Sequence, residues 1–170
     1  MLSLGTRYAY QRATLTTTFD NLPEIQNGIL TRHVITQSAT WNATARLYLS
    51  GAVNVTYDQL KVPPHRLTFH SDNNYTSASL GAGYAVGKVT DLYLDVSHYR
   101  ADNYTDNPAV TLPLNAGQKL QSAFLSWVRR HSDRLVFTAK YGYAMNRDGT
   151  FGGQNDFDAH LLYGKVQYKF

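Results

Sequence analysis

The chain has 170 residues, no cysteine, and a formal net charge of +4 from 16 basic and 12 acidic residues. The length indicates a single domain, 1–170. The lack of cysteine excludes a disulfide framework, a zinc–thiolate site and a thiol nucleophile in this chain. The charge is too small and too scattered to indicate a nucleic-acid partner. Abundant tyrosine and threonine favour strands, and no run approaches the roughly 18 apolar residues of a membrane-spanning helix.

In chain order, the alternation of apolar and polar residues predicts eight strands, at 4–18, 29–41, 46–58, 75–87, 92–103, 118–130, 134–146 and 157–170. Tight turns and long loops alternate between them. The turns lie near 42–45, 88–91 and 131–133, and the loops near 19–28, 59–74, 104–117 and 147–156. An antiparallel up-and-down meander would place all the tight turns at one end and all the long loops at the other.

Three stretches resemble one another, each with a short polar turn, a leucine, an alternating strand and an aspartate. The leucines are Leu47, Leu92 and Leu135, spaced by 45 and then 43 residues. Such periods are also typical of propeller blades and helical solenoids. Because each unit here holds two long alternating strands, we interpret it as a long β-hairpin.

The strand at 46–57 has two different sides. One side carries Leu47, Leu49, Gly51, Val53, Val55 and Tyr57, and the other Tyr48, Ser50, Ala52, Asn54 and Thr56. A soluble barrel would turn the apolar side inward, and a transmembrane barrel would turn it outward to lipid. Alternation alone does not choose between them, because both have a period of two.

Three features favour the outward orientation. The short turns and long loops separate to opposite ends, as in transmembrane barrels with short periplasmic turns and longer extracellular loops. Trp41 and Trp127 precede tight turns, while Tyr57 and Tyr143 lie toward the far ends of the strands that follow. We predict that these four form aromatic girdles at the two membrane interfaces. The polar side is also rich in serine, threonine and glycine rather than lysine and glutamate.

The last stretch, HLLYGKVQYKF, alternates up to a final aromatic residue, with Leu162, Val166, Tyr168 and Phe170 on one side. It resembles the C-terminal signature of bacterial outer-membrane β-barrel proteins. The resemblance implies that the barrel-assembly machinery reads this strand during insertion, and that the strand closes the sheet. It also implies a place in the bacterial outer membrane, among lipid and lipopolysaccharide.

Two versions of the resemblance remain open. One is a complete small barrel similar to OmpA or OmpX, and the other is the C-terminal part of a larger porin-like barrel. The even strand number favours the small barrel. The charged residues that we predict to face the lumen, namely Arg7, Asp95, Lys140, Lys165 and Lys169, are mostly cationic and suit water or a partner inside.

No constellation indicates covalent chemistry, a cofactor or a metal. Asp95 and Ser97 share one side of a strand while His98 points to the other, so they do not form a nucleophile–base pair. His65 and His70 do not have a zinc spacing, and the acidic stretch at 146–158 lacks the spacing of a calcium-binding EF-hand.

We therefore predict an integral outer-membrane barrel that is structural or pore-forming, like a passive porin channel, and is not an enzyme. Inward cations would favour anions. The alternatives are a soluble lipocalin-like barrel that binds a small ligand, and an outer-membrane sheath barrel that holds a partner protein such as a cytochrome.

Overall fold

The computed structural model describes residues 1–17, 25–61, 70–104, 117–150 and 152–170. Within these ranges the regular structure is entirely β. The strands are β1 Leu2–Thr17, β2 Ile25–Asn42, β3 Leu47–Lys61, β4 His70–Asp72, β5 Tyr75–Ala85, β6 Thr90–Asp102, β7 Gly117–Arg130, β8 Leu135–Asp148 and β9 Phe157–Tyr168. These ranges contain no helix that is long and apolar enough to cross a membrane.

All the strands belong to one antiparallel sheet, in the order β1-β2-β3-β5-β6-β7-β8-β9. The short β4 lies off this path and pairs with the end of β3. The register is continuous apart from one irregularity in β1, between Leu15 and Thr16. The predicted all-β class, the eight antiparallel strands and the up-and-down order are thus confirmed.

The sheet is not closed into a barrel: β1 and β9 are its two edges and do not pair with each other. The prediction of closure therefore differs from the observed arrangement. The difference has a physical reason. Every pairing in the observed sheet joins strands that are near neighbours along the chain, where the connecting segment helps to fix the register, whereas no such segment joins β1 directly to β9.

Two of the tight turns are built in the same way. The Thr44 hydroxyl accepts hydrogen bonds from the backbone N–H groups of Arg46 and Leu47, at 3.1 and 3.0 Å. The Ser132 hydroxyl accepts them from Arg134 and Leu135, at 3.3 and 3.2 Å. A hydroxyl that bonds nearby backbone in this way stabilises a turn. This explains why a threonine or serine precedes the leucine in the repeated sequence.

The described residues enclose no apolar core. Ala101 is the one buried hydrophobic residue among them. The buried polar residues are Thr56, Asp58, Asn103 and Asn146, and they lie at or just beyond the long-loop ends of strands. The sheet thus presents two broad sides, and the chemistry of the molecule depends on what each side carries.

Candidate functional site

One side of the sheet, called the apolar face below, carries an unbroken row of hydrophobic residues across all eight long strands. Directly paired neighbours form this row: Leu2, Trp41, Leu49, Ala82, Leu94, Leu125, Tyr141 and Leu162. Further apolar residues continue the face on either side of the row, such as Leu80 and Val166, which are 57% and 66% exposed. Leu49, Val55 and Phe137 lie on the same face, and none of them is buried. These hydrophobic side chains therefore lie exposed on the surface of the sheet rather than packed against one another.

Charge on the apolar face is confined to its two ends. At the loop end lie Arg12, Lys61, Asp72, Arg100, Asp102, Lys119, Arg147 and Asp158, and at the turn end lies Arg129. Two of the loop-end arginines form ion pairs on this face, Arg100 with Asp102 and Arg147 with Asp158, each at 2.9 Å. Between the two ends, no described position of this face carries an Asp, Glu, Lys or Arg. We call this stretch the uncharged band.

The opposite side, called the polar face, carries a row of very small residues across the same eight strands. The paired residues of this row are Gly5, Ser38, Ala52, Ser79, Ser97, Ser122, Ala144 and Ala159. Short side chains leave the sheet backbone open to approach along this row. The polar face thus offers hydroxyl groups and space rather than a packed layer.

Hydrogen bonds and ion pairs connect the polar face from strand to strand. The Thr36 hydroxyl donates to Asn54 at 2.7 Å, and the Asn54 amide donates to Ser77 at 3.3 Å. Near the loop end Arg32 Nε donates to Asp58 at 2.9 Å. Such cross-strand pairs hold register in a sheet, and here they use the polar groups that an apolar core would exclude.

A second ion pair lies at the turn end of the polar face, where Arg130 bonds Asp91 at 2.7 Å. The side-chain hydrogen bond to Asp91 raises the pKa of Arg130. Next to it is a cavity of about 400 Å³ whose lining includes Arg46, Tyr48 and Tyr93. Two tyrosines of the polar face thus lie beside this ion pair.

Two glycines of the polar face are covered by aromatic rings from the residues directly opposite. A Cβ on Gly83 would meet the Tyr48 ring at 2.0 Å, and one on Gly142 would meet the Phe124 ring at 2.0 Å. Lys140 Nζ lies 4.4 Å from the centre of the same Phe124 ring, a cation–π contact. Absence of a side chain at these glycines lets the rings lie flat on the sheet.

The residues predicted to face the lumen share the polar face. Arg7, Asp95, Lys140 and Lys165 alternate onto it, and none of the ion pairs found among the described residues includes them. Lys169 follows the end of β9 and donates its backbone N–H to Arg134 at 2.9 Å. That this face surrounds a lumen stays a prediction.

The four predicted girdle residues share the apolar face. Trp41 and Trp127 lie near the tight turns, while Tyr57 and Tyr143 lie toward the loop end but within their strands rather than at the tips. All four are at least one-third exposed. A role at a membrane interface stays a prediction for each.

Sequence reasoning missed two matching clusters of tyrosine and histidine on the apolar face. His33 Nδ1 lies 2.7 Å from the Tyr8 hydroxyl, and His160 Nδ1 lies 2.8 Å from the Tyr141 hydroxyl. In each cluster the histidine ring also lies against a second tyrosine, Tyr10 or Tyr143.

The two clusters have almost the same shape. The bonded rings have centres 6.1 Å apart in both, with interplanar angles of 30° and 26°. The signal in the sequence is a Tyr-x-Tyr triplet at 8–10 and again at 141–143. Pairing with a histidine on the next strand becomes visible only with the register.

The predicted C-terminal signature also lies on the apolar face. Leu162, Val166 and Tyr168 alternate onto it from β9, and the ring of Phe170 contacts that of Tyr168 edge-on with centres 5.3 Å apart. Phe170 follows the last β residue and is fully exposed. Recognition of these residues during assembly stays a prediction.

The residues considered for chemistry are not brought together. Ser97 bonds Ser122 on the polar face, while His98 bonds Gln121 on the other side, so Asp95, Ser97 and His98 do not converge. His65 lies outside the described residues, and only the backbone of His70 is described. The described ranges contain no group of three His, Asp or Glu side chains that would hold a metal ion.

The acidic stretch after β8 is used internally. The carboxylate of Asp148 accepts hydrogen bonds from the Thr150 backbone N–H at 2.8 Å and from the Asn155 side chain at 2.6 Å. These bonds lower the pKa of Asp148, the backbone one most. The carboxylate of Asp148 therefore stabilises the loop between β8 and β9.

Comparisons with protein-family models, with curated proteins and with solved structures gave no match for this chain.

Proposed function

We propose that this sheet is part of the wall of an outer-membrane β-barrel, with its apolar face against lipid and its polar face toward the interior. The supporting observation is the unbroken hydrophobic row across eight strands, which lies exposed on one face. Exposed apolar patches of this extent indicate contact with lipid or with another protein. When this face contacts the hydrocarbon of a membrane, a row of exposed hydrophobic side chains is the stable arrangement.

The uncharged band has the dimensions that a bilayer needs. On β7 the charges nearest to it are Lys119 and Arg129, ten residues apart, or about 34 Å along the strand. Tilted by about 40°, that length covers about 26 Å of membrane thickness, close to the apolar band of about 25 Å in outer-membrane barrels. The long cationic side chains of Lys119 and Arg129, at the two ends of the band, can extend to the lipid headgroups.

The polar face suits a water-filled interior. Its hydroxyl groups and unpaired cations, Arg7, Lys140 and Lys165, need water or a polar partner, and the row of small residues leaves room for it. We propose a structural or passive pore-forming role with no covalent chemistry. The cations would favour anions in transit.

The partners implied by this proposal are outer-membrane lipid and lipopolysaccharide. The loop end of the apolar face carries five cationic side chains against three carboxylates. A cationic rim is the chemistry that meets the phosphates of lipopolysaccharide. Insertion by the barrel-assembly machinery belongs to the same proposal and is supported by the resemblance of the last strand.

The test compares two neighbouring residues on β5 that lie on opposite faces, Leu80 and Ser79. Because the chain has no cysteine, Leu80→Cys and Ser79→Cys each accept one environment-sensitive fluorophore. The labelled proteins are reconstituted into phosphatidylcholine vesicles. We expect acyl-chain nitroxide to quench the label at 80 strongly, and aqueous iodide to quench the label at 79.

The other outcomes identify the alternatives. Iodide quenching at both positions would mean that the sheet is not in the bilayer. A label at 80 shielded from both quenchers, in protein that stays in the aqueous fraction, would indicate a soluble barrel with the apolar face inside. A label at 79 shielded from iodide while that at 80 meets lipid would indicate an interior without free water, because it is either narrow or occupied by a partner.

A further inference from the structure

The two edges of the sheet are complementary to each other. β1 exposes the backbone groups of one edge over Leu2–Thr17, and β9 exposes those of the other over Phe157–Tyr168. In hydrocarbon an unpaired strand edge is not tolerated, because each free N–H and C=O costs several kcal/mol. If the sheet lies in a membrane, as proposed above, both edges must find partners.

Face chemistry restricts the registers in which β1 and β9 can pair. On β1 the even-numbered residues lie on the apolar face, and on β9 the even-numbered residues do so too. A shift by one residue would move a whole strand to the other face, carrying Arg7 or Lys165 toward lipid. Only registers that pair even residues with even residues keep both faces continuous.

The strand tilt that is usual in barrels restricts the registers of β1 and β9 further. The row that begins at Leu4 follows the observed pairing to His160 on β9. Closing the sheet with His160 opposite Thr14 displaces this row by ten residues. Over eight strands spaced about 4.8 Å apart with about 3.3 Å per residue, that displacement is a tilt of about 41°, near the middle of the usual 35–45°.

The two neighbouring registers that keep the faces continuous, with displacements of eight and twelve residues, bring like charges together. A displacement of eight residues places Arg7 opposite Lys165, and a displacement of twelve places it opposite Lys169. Like charges directly opposite one another destabilise a sheet. With ten residues Arg7 lies opposite Gln167, and Lys165 lies opposite Ala9.

The same register matches large residues with small ones along the seam. It pairs Tyr10 with Gly164 on the apolar face. Elsewhere in this sheet, a ring covers the glycine directly opposite at Tyr48–Gly83 and at Phe124–Gly142. A Cβ on Gly164 meets nothing within 4 Å in the open sheet, so this glycine has space for the Tyr10 ring.

We propose that β1 and β9 of one chain pair with each other in the antiparallel register that places Tyr10 opposite Gly164. This inference rests on the proposed membrane function and specifies it: the chain forms an eight-stranded barrel with a displacement of ten residues. The barrel radius is then about 8 Å at a tilt of about 40°. The row of small residues becomes part of a narrow wet interior.

Disulfide formation in vesicles tests the register. The double variant Tyr10→Cys/Gly164→Cys brings two cysteines opposite each other, where Cα atoms of paired residues are about 4.5–5.5 Å apart. The matched controls Tyr8→Cys/Gly164→Cys and Arg12→Cys/Gly164→Cys lie on the same face but are shifted by two residues. Their Cα atoms would be about 8 Å apart, beyond the reach of a disulfide.

We expect the Tyr10/Gly164 pair to crosslink fastest and within the monomer on a non-reducing gel. Because Tyr10→Cys also removes a ring from the His33 cluster, Ala9→Cys/Lys165→Cys repeats the test on the polar face in the same register. Faster crosslinking in either control pair would overturn the register. Crosslinked dimers, or no crosslink in either main pair, would overturn closure and indicate that each edge pairs with another strand.

The label at Leu80 separates this failure from failure of the membrane function. Lipid quenching at 80 without the predicted crosslink rejects closure alone. Loss of lipid quenching rejects the membrane function, whatever the crosslinks show.

Discussion

A charge introduced at the height of the uncharged band should destabilise the protein strongly on the apolar face and only weakly on the polar face. Leu125 lies on the apolar face of β7, four residues from Arg129 and six from Lys119. At a tilt of about 40° it is about 10 Å from the turn-side charge and about 16 Å from the loop-side one. Its side chain thus lies close to the middle of the membrane in the proposed arrangement.

We expect Leu125→Arg to cost about 2–4 kcal/mol, the range for a cation at the midplane of a transmembrane barrel. If instead this face were in water, the change would be worth about 0.5 kcal/mol or less, because Leu125 is already 51% exposed. The expected difference between the two cases is several times the usual error of a denaturant extrapolation.

The assay is urea-dependent unfolding from phospholipid vesicles, monitored by tryptophan fluorescence. The matched control is Ser122→Arg, three residues along β7 on the polar face, where the residues directly opposite, Ser97 and Ala144, are uncharged. We expect the control to cost at least about 1.5 kcal/mol less than Leu125→Arg, given the depth dependence on the lipid face. Equal costs, or a larger cost at 122, would refute the assignment of the two faces.

Three other predictions concern the polar face and the loop end. In planar bilayers we expect single channels with an anion preference, which the double charge reversal Lys140→Glu/Lys165→Glu should reverse; an unchanged reversal potential would remove these cations from the conducting path. Gly142→Ala should cost about 1–3 kcal/mol because the new methyl group overlaps the ring that covers it, while Gly87→Ala, which meets nothing within 4 Å, serves as a nearly neutral control in the same unfolding assay. Because hydrogen bonds lower the pKa of Asp148, its contribution to loop stability is present above the ordinary carboxylate pKa and is lost as the pH falls through the lowered value. The protection factor of the Thr150 backbone amide, which is its exchange rate relative to the intrinsic rate at the same pH, should therefore fall at low pH, and Asp148→Asn should make that protection factor less dependent on pH.

The strands were predictable because their side chains alternate so regularly. The predicted 118–130 is observed as Gly117–Arg130, and the predicted 75–87 as Tyr75–Ala85. The turn positions followed from Thr44 and Ser132, whose hydroxyls bond the backbone just ahead of the next strand. Local chemistry was sufficient for these features.

Contacts between strands were not predictable in the same way. The cluster of Tyr8, Tyr10 and His33 depends on a register that joins residues 25 positions apart, and alternation within one strand carries no information about it. The ring of Tyr48 over Gly83 is a similar case, since neither residue is unusual for its own strand. Closure is the extreme case, because no hairpin fixes the register between β1 and β9.

Charge in this sheet is sorted along two directions at once. Across the sheet thickness, Arg32–Asp58 and Arg130–Asp91 lie on the polar face, away from the face that we propose to contact lipid. Along the strands, the ion pair of Arg147 on the apolar face lies beyond the uncharged band. A soluble sheet needs only the first kind of sorting, because water reaches every exposed charge equally at all heights. Sorting by height on the exposed face is required only when the surroundings themselves change with height, as they do across a bilayer.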